Sequence, residues 1–319
     1  MRVLLTGSSG WLGRFLAPRL RLEGHHVTGL DVAPGTHTDI LGSVADRPLV
    51  DRTFAEHGIE AVIHCGALHK PDIVRYPRQA FIDVNVTGTL NLLEAAAAAR
   101  NDRFVFTSTT SLMVSQTLHS GPIDRAAWMD EDYGPLEPRN IYGITKLGAE
   151  QLCRLAHREH GLPVCILRTS RFFPEDDDSH RQPSGPNIKA NEFLNRRLTV
   201  EDAAQAHVAA LEKAPELGFG TFIVSAPPPF SPDDCGELAV DAAAVVERYF
   251  PEAPGLYARA GWTLPARLDR VYVPSAAEGR LGFRCRTDFA AILGALAGGG
   301  PLPFVHDPYY VSPKEGAST

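Results

Sequence analysis

Three glycines at a spacing of three, Gly7, Gly10 and Gly13, stand between the apolar run Val3-Leu4-Leu5 and a helix-patterned stretch over 10–23. A strand that passes through such a turn straight into a helix commits the chain to a βα unit, and each glycine has its own reason to be there. Gly7 permits the tight turn, Gly10 lets a phosphate approach the backbone, and Gly13 lets the helix pack close to the strand. The amino terminus of the helix then offers unpaired N–H groups and a partial positive charge. Gly7, Gly10, Trp11, Leu12 and Gly13 are therefore candidate residues for holding a dinucleotide diphosphate.

The same rhythm continues through the first half of the chain. Short apolar runs at 2–6, 26–30, 61–65, 103–108 and 164–168 alternate with helix patterns at 10–23, 78–100 and 142–160, and a short strand is expected around Asp39-Ile40 with a helix start at Asp46. This alternation predicts an α/β fold with a doubly wound parallel sheet of the Rossmann type. After Arg168 the pattern breaks: 173–195 carries Pro174, Pro183, Pro186 and the acid run Glu175–Asp178, and reads as irregular, with the acids on a solvated face. Helix returns at 199–213, strand at 221–225, helix at 235–249, strand at 271–273 and a last helix at 288–297. The Gly- and Pro-rich tail from Gly298 is expected to wrap the surface. We expect a cofactor-binding unit over 1–170, completed by 199–226, with 171–198 and 227–319 forming a smaller, discontinuous substrate-binding region.

A length of 319 residues, 44% hydrophobic and 22% charged, with a formal net charge of -7, fits an ordinary soluble globular protein. Lysines and arginines are dispersed, and their one dense pair, Arg196-Arg197, is too small for a nucleic-acid-binding stripe. The five cysteines are odd in number and widely spaced, without Cys-x-x-Cys or clustered histidine, so neither a metal site nor a disulfide framework is expected. Cys65 and Cys165 lie in apolar runs and read as buried thiols. Met1 leads directly into strand without a charged leader and apolar core, and no apolar run approaches the roughly 20 residues a bilayer span needs, so a reducing cytoplasm is expected.

Asp31 closes the second strand, eighteen residues after Gly13. A carboxylate there accepts hydrogen bonds from both adenosine-ribose hydroxyls and repels a 2′-phosphate, which favours NAD over NADP. Asp39-Ile40 would meet the adenine, or Asp39 is simply a helix cap. Tyr142 and Lys146 are four apart in a helix pattern and so share a face. An ammonium near a phenol favours the phenolate and pulls its pKa from about 10 toward neutrality, where a proton donor and acceptor works best.

These pieces resemble the extended short-chain dehydrogenases/reductases, also called NAD-dependent epimerase/dehydratases, from residue 1 to about 226. The resemblance rests on the glycine turn, Val62-Ile63-His64-Cys65-Gly66-Ala67, Asn85-Val86-Thr87-Gly88-Thr89-Leu90-Asn91, Phe104-Val105-Phe106-Thr107-Ser108-Thr109 and Tyr142-Gly-Ile-Thr-Lys146. It implies that Tyr142 is the general acid/base, that Lys146 binds the nicotinamide ribose and lowers the tyrosine pKa, and that Thr109 hydrogen-bonds the reacting oxygen. It also implies that Cys65, Gly66, Ala67 and Thr107 flank the cofactor, and that Asn85 braces the cofactor-side strands. The register of Thr109 follows from Met113, four residues on, where the family usually carries Tyr.

Three departures narrow the substrate. Thr110-Ser111 stands where the family's dehydratases place Asp-Glu, so dehydration is disfavoured. Arg168-Thr-Ser-Arg171 lacks the Asn that meets the diphosphate in nucleotide-sugar members, and the stretch from Phe173 to Val200 is short for a nucleotide clamp. Arg171 suits a carboxylate or phosphate, or it pairs with Asp176–Asp178 in a loop. The layout of Pro174-Glu175, Arg197-Leu198 and Val200-Glu201-Asp202 is similar to uronate dehydrogenases; His69 lies where such enzymes contact substrate or nicotinamide, or is a solvated loop histidine. The expectation is an NAD-dependent oxidoreductase acting on a secondary alcohol or ketone of a small, polar, sugar-like substrate, with Thr110, Ser111, His69, Thr109 and Arg171 as substrate contacts. An epimerase of a nucleotide-linked sugar is the alternative, and a non-catalytic NAD-sensing protein a more distant one. By analogy with the family, a homodimer through the helices over 78–100 and 142–160 is expected.

Overall fold

The computed structural model describes residues 1–176 and 184–315. Asp177, Asp178 and Pro183, which belong to the irregular stretch singled out above, lie outside the described residues. Nine strands are described: β1 Arg2–Thr6, β2 His26–Asp31, β3 Ile40–Leu41, β4 Ala61–His64, β5 Phe104–Thr109, β6 Ala127–Met129, β7 Val164–Thr169, β8 Phe219–Val224 and β9 Arg270–Tyr272. The helices of the first half are α1 Trp11–Leu22, α2 Arg47–His57, α3 Arg78–Phe81, α4 Gly88–Ala98, α5 Gln116–Ser120 and α6 Ile141–His160. Those of the second half are α7 Gly185–Glu192, α8 Val200–Leu217, α9 Cys235–Leu238, α10 Ala242–Tyr249, α11 Ala253–Ala260 and α12 Phe289–Gly298.

Seven strands form one parallel sheet in the order β3-β2-β1-β4-β5-β7-β8. β1 sits between β2 and β4, so the order reverses beside it, and a doubly wound sheet opens a ligand crevice at the carboxyl ends of the strands at that point. The central strands are buried along their whole length, which is why they read as continuous apolar runs rather than alternating ones. One face packs α1 and α8 in a core around Leu16, Leu20, Val105 and Leu211. The other packs α2, α4 and α6 around Leu92, Phe104, Phe106 and Ile166. A third core, around Phe193, Val246, Tyr257 and Phe289, gathers α7 and α9 to α12.

Several elements differ from the sequence reading. The stretch over 78–100 is not one regular helix: α3 passes through a π-helical turn, Ile82–Thr87, before α4. A π turn adds a residue to the helical repeat and re-aims the side chains it carries, here the buried Asn85. The expected single helix over 235–249 is two, α9 and α10, with Asp241 capping the second. The stretch over 173–195 is not wholly irregular, because α7 forms within it, and β9 joins β6 in a separate two-stranded sheet rather than extending the large one.

Candidate active site

The carboxyl ends of β1, β2, β4, β5 and β7 line one cleft of ≈1660 Å³. At the β1–α1 turn, Gly7 adopts φ +74° and its N–H donates to Leu30 O at 2.9 Å. A Cβ on Gly7 would stand 2.8 Å from Gly66 N, and one on Gly13 would stand 2.2 Å from Gly7 O, so neither position tolerates a side chain. At Gly10 the added carbon would meet only Gly7 O, at 3.3 Å. That openness, together with an α1 N-cap that has no side-chain partner, leaves backbone donors aimed into the cleft, where Trp11, Leu12 and Gly13 also line the wall. The cradle fits a dinucleotide diphosphate.

Asp31 ends β2 at the cleft edge, 8% exposed, with its carboxylate held by Ser9 N–H and Ala33 N–H, both at 3.0 Å. Asp39 and Ile40 do not line the cleft: Asp39 accepts from Gly29 N–H at 2.7 Å, Ile40 packs against the second core, and Gly42, Ser43 and Val44 stand at the wall instead. Asp39 is not a helix cap, since Asp46 caps α2; its carboxylate closes the turn beyond β2. Beyond β4, Cys65, Gly66 and Ala67 line the opposite side. Asn85 lies behind them, buried, accepting from Leu68 N–H at 2.8 Å and donating to Leu68 O at 3.0 Å and to Thr145 Oγ1 at 3.1 Å. It braces the loop after β4 against α6 without reaching the cleft itself.

Thr107, Thr109, Thr110 and Ser111 bring the end of β5 to the centre of the cleft. Thr107 Oγ1 is tied to His207 Nε2 at 2.8 Å and to Cys65 Sγ at 3.1 Å, and the Thr109 hydroxyl accepts from Ser111 N–H at 3.1 Å. Asn140 caps α6 by accepting from Gly143 N–H at 3.0 Å, which fixes the first turn and with it Tyr142. Tyr142, Lys146, Glu150 and Cys153 then form one buried stripe along α6. Glu150 grips Arg168 of β7 at 2.8 and 3.0 Å and accepts from Ser108 of β5 at 2.6 Å, so a buried, fully paired carboxylate locks the helix to the two strands whose ends carry the site.

The electrostatics correct one expectation. Burial pushes the Tyr142 phenol up to about 12, with the Thr109 hydroxyl as the neighbour that favours its ionised form. Burial likewise pushes the Lys146 ammonium down to about 8. Lys146 does not line the cleft and does not pull the phenol toward neutrality here; its Nζ lies 4.0 Å from the centroid of the Phe106 ring. Desolvation penalises the charged form of both groups and is the largest cause of each shift.

His69 is not a solvated loop residue: its ring packs edge-on against Tyr142 and Phe173, at 5.8 and 5.6 Å, and burial holds it neutral. Arg171 lines the cleft beyond β7 and pairs with Glu192 of α7 at 3.4 Å. Arg196 and Arg197 reach the same carboxylate at 3.2 and 2.6 Å. Although burial opposes it, these three guanidiniums hold Glu192 down to about 2. Glu192 thus gathers three guanidiniums, of which Arg171 and Arg196 line the cleft with Glu175 and Asp176 beside them. Neither Glu192 nor Arg196, noted above only as half of a basic pair, was expected at the site, because only the fold of α7 brings them beside Arg171. Among the described residues no group of three His, Cys, Asp or Glu side chains converges as a metal site, and no helix is long and apolar enough to cross a membrane.

The profile of the family described as NAD dependent epimerase/dehydratase matches residues 3–221. A UDP-glucose 4-epimerase from Bacillus subtilis is 32% identical over 274 residues, 69% of this chain and 78% of its own. A dTDP-glucose 4,6-dehydratase from Streptomyces niveus is 32% identical over 195 residues, but the matched region spans only 55% of that protein and 54% of this one. Among solved structures, a short-chain dehydrogenase/reductase superfamily protein from Agrobacterium tumefaciens with bound NAD superposes with a TM-score of 0.65 at 25% identity, over 93% of this chain and 96% of its own.

Proposed function

Because the chain belongs to the NAD dependent epimerase/dehydratase family, and is thus an NAD-dependent enzyme of the short-chain dehydrogenase/reductase type, we propose that it oxidises a secondary alcohol, or reduces the matching ketone, on a small, polar, sugar-like substrate that carries an anionic group. The observation that carries this reading is the juxtaposition, in one cleft, of the Thr109 and Tyr142 hydroxyls with the guanidinium patch of Arg171 and Arg196. Bound NAD supplies the hydride acceptor at the substrate carbon. The chain's own residues do the rest. Thr109 orients the substrate oxygen, and Tyr142 takes its proton as the carbon is oxidised. Lys146 interacts with the cofactor ribose and, once its ammonium is so held, favours the phenolate that burial alone disfavours. Arg171, with Arg196 beside it, grips a carboxylate or phosphate, while Ser111 and Thr110 contact the sugar hydroxyls. Neutral His69, packed on Tyr142, restricts the phenol's position and supplies a ring nitrogen to the substrate.

Gly7, Gly10, Trp11, Leu12 and Gly13 hold the diphosphate in this reading, Asp31 the adenosine ribose, and Cys65 to Ala67 with Thr107 the nicotinamide side. Dehydration is disfavoured because Thr110-Ser111 follows the catalytic threonine. An epimerase of a nucleotide-linked sugar is the second reading, favoured by a cleft of ≈1660 Å³ that extends past Tyr142 toward Thr263–Arg270. The two are separated by following absorbance at 340 nm with a free sugar acid and NAD: steady accumulation of NADH supports the dehydrogenase, whereas catalytic NAD with no net NADH sinks it. We further propose a homodimer through α3, the π turn that follows it, α4 and α6, where Ile82 of the π turn and Ile144 of α6 are exposed, in a reducing cytoplasm consistent with five free thiols. Light scattering giving a monomer mass at micromolar protein overturns the dimer.

A further inference from the structure

From Gly298 at the end of α12 the chain passes through Gly299, at φ +63°, and Gly300, and then runs along the mouth of the cleft as residues 306–315. This segment carries little regular structure of its own, yet it is fastened on three sides of the mouth. At the β7 side, Asp307 N–H donates to Pro174 O at 2.9 Å and Lys189 Nζ meets His306 Nδ1 at 3.0 Å. Over the first turn of α1, the Tyr310 ring packs edge-on against Trp11 at 5.2 Å, with the Arg14 guanidinium 5.5 Å from the tyrosine ring and 5.1 Å from the tryptophan ring. At the β4 side, Lys314 Nζ donates to Ala67 O at 3.2 Å and to Asp72 Oδ2 at 2.5 Å, and Arg75 pairs with Glu315 at 2.7 Å. Tyr310, Ser312 and Lys314 line the same cleft as the glycine turn.

We propose that residues 306–315 form a strap that completes the dinucleotide site and latches through Lys314 on Asp72, so that bound cofactor leaves only when the strap lifts. This rests on the reading of the cleft as the NAD site. The three fastenings fall on the three elements that surround the expected diphosphate: the turn after β1, the loop after β4 and the segment after β7. A ligand seated on Gly10 lies beneath Tyr310, between the anchored ends. Lys314–Asp72 is the firm fastening, because both side chains are largely withdrawn from solvent, at 14% and 2% exposure, and Asp72 is itself fixed by His69 N–H at 2.6 Å. Arg75–Glu315 is more exposed, and an exposed ion pair holds weakly. The glycine run at the base supplies the freedom to swing.

The test is the rate of NADH release, followed by fluorescence after mixing the NADH complex with excess NAD, for wild type, Lys314→Met, Lys314→Arg and a chain ended after Phe304. Release is expected to speed up about tenfold or more in Lys314→Met and in the shortened chain, and to stay near wild type in Lys314→Arg. Release within about twofold of wild type in both disrupted chains overturns the strap while leaving the cofactor site intact. Failure of wild type to bind NADH at all refutes the underlying reading, and the strap with it. Should the shortened chain not fold, chymotryptic cleavage at Tyr309 and Tyr310 of wild type decides: bound NAD should slow it about fivefold or more, and equal rates with and without NAD overturn the proposal.

Discussion

Lys146 lies four residues from Tyr142 on one buried face of α6, yet its ammonium rests 4.0 Å from the centroid of the Phe106 ring while burial drives its pKa down to about 8 and the tyrosine's up to about 12. The pair as it stands is poised against ionisation on both sides. In our proposal the cofactor's hydroxyls supply a polar partner for the ammonium.

A stability consequence follows with a definite sign. The Lys146 pKa falls from 10.5 to about 8 in the folded chain, so the charged lysine costs stability at every pH below about 8 and the cost fades as pH rises toward 10.5. Lys146→Met should therefore stabilise the cofactor-free protein at pH 7 by on the order of 1–3 kcal/mol, with the gain vanishing above pH 10.5, while weakening NAD binding. Urea denaturation at pH 7 and pH 10.5 measures it; a variant no more stable at pH 7 contradicts the assignment.

Tyr142→Phe removes the group assigned to move the substrate proton and leaves the glycine cradle untouched. Turnover should fall about 10²–10⁴-fold with NAD affinity kept within about twofold. Thr109→Val also deletes the hydroxyl that favours the phenolate, so the alkaline rise of kcat should move to higher pH. An unmoved pH profile in Thr109→Val argues against Thr109 as the phenol's partner.

Asp31 accepts from two backbone N–H groups besides its proposed place on the ribose. Asp31→Asn should lower the preference for NAD over NADP, since the repelling charge is gone, and cost about 1–3 kcal/mol of stability through weakened charge-assisted bonds. The ratio of kcat/KM for the two cofactors is the readout, and an unchanged ratio removes Asp31 from the ribose site.

Glu192, held down to about 2 by Arg171, Arg196 and Arg197 against the opposing effect of its burial, contributes stability that is fully present above its ordinary value of 4.5 and is lost as pH falls toward 2. Glu192→Gln leaves three guanidiniums facing one another and should destabilise the fold by about 3–5 kcal/mol at pH 7, and by much less at pH 2. Arg171→Ala, by contrast, should leave folding nearly intact and raise KM for an anionic substrate about tenfold or more. Equal KM values for anionic substrate in wild type and Arg171→Ala refute its proposed role.

The local signals proved legible where a backbone need and a residue type coincide. A glycine turn between an apolar run and a helix pattern has one low-strain geometry, and Gly7 and Gly13 occupy it against neighbours that admit no Cβ. The succession of short, continuous apolar runs and helix patterns likewise carries the parallel sheet, since buried central strands are apolar on both faces. The π turn around Asn85, the split of α9 from α10 and the small sheet of β6 and β9 were not legible, because packing against distant segments decides them and propensity alone does not.

What the sequence determined by itself is the sheet, the crevice and the order in which Gly7, Asp31, Cys65, Thr109, Tyr142 and Arg171 reach it, because each follows a strand end or a helix face. Only the tertiary structure decided how charged those groups can be and what stands over them. Desolvation depends on the atoms that fold around a side chain, so the pKa values of Tyr142 and Lys146 run opposite to the expectation drawn from their spacing. In the same way, Glu192 beneath Arg171 and Lys314 on Asp72 are contacts across 21 and 242 positions of chain, which no local pattern records.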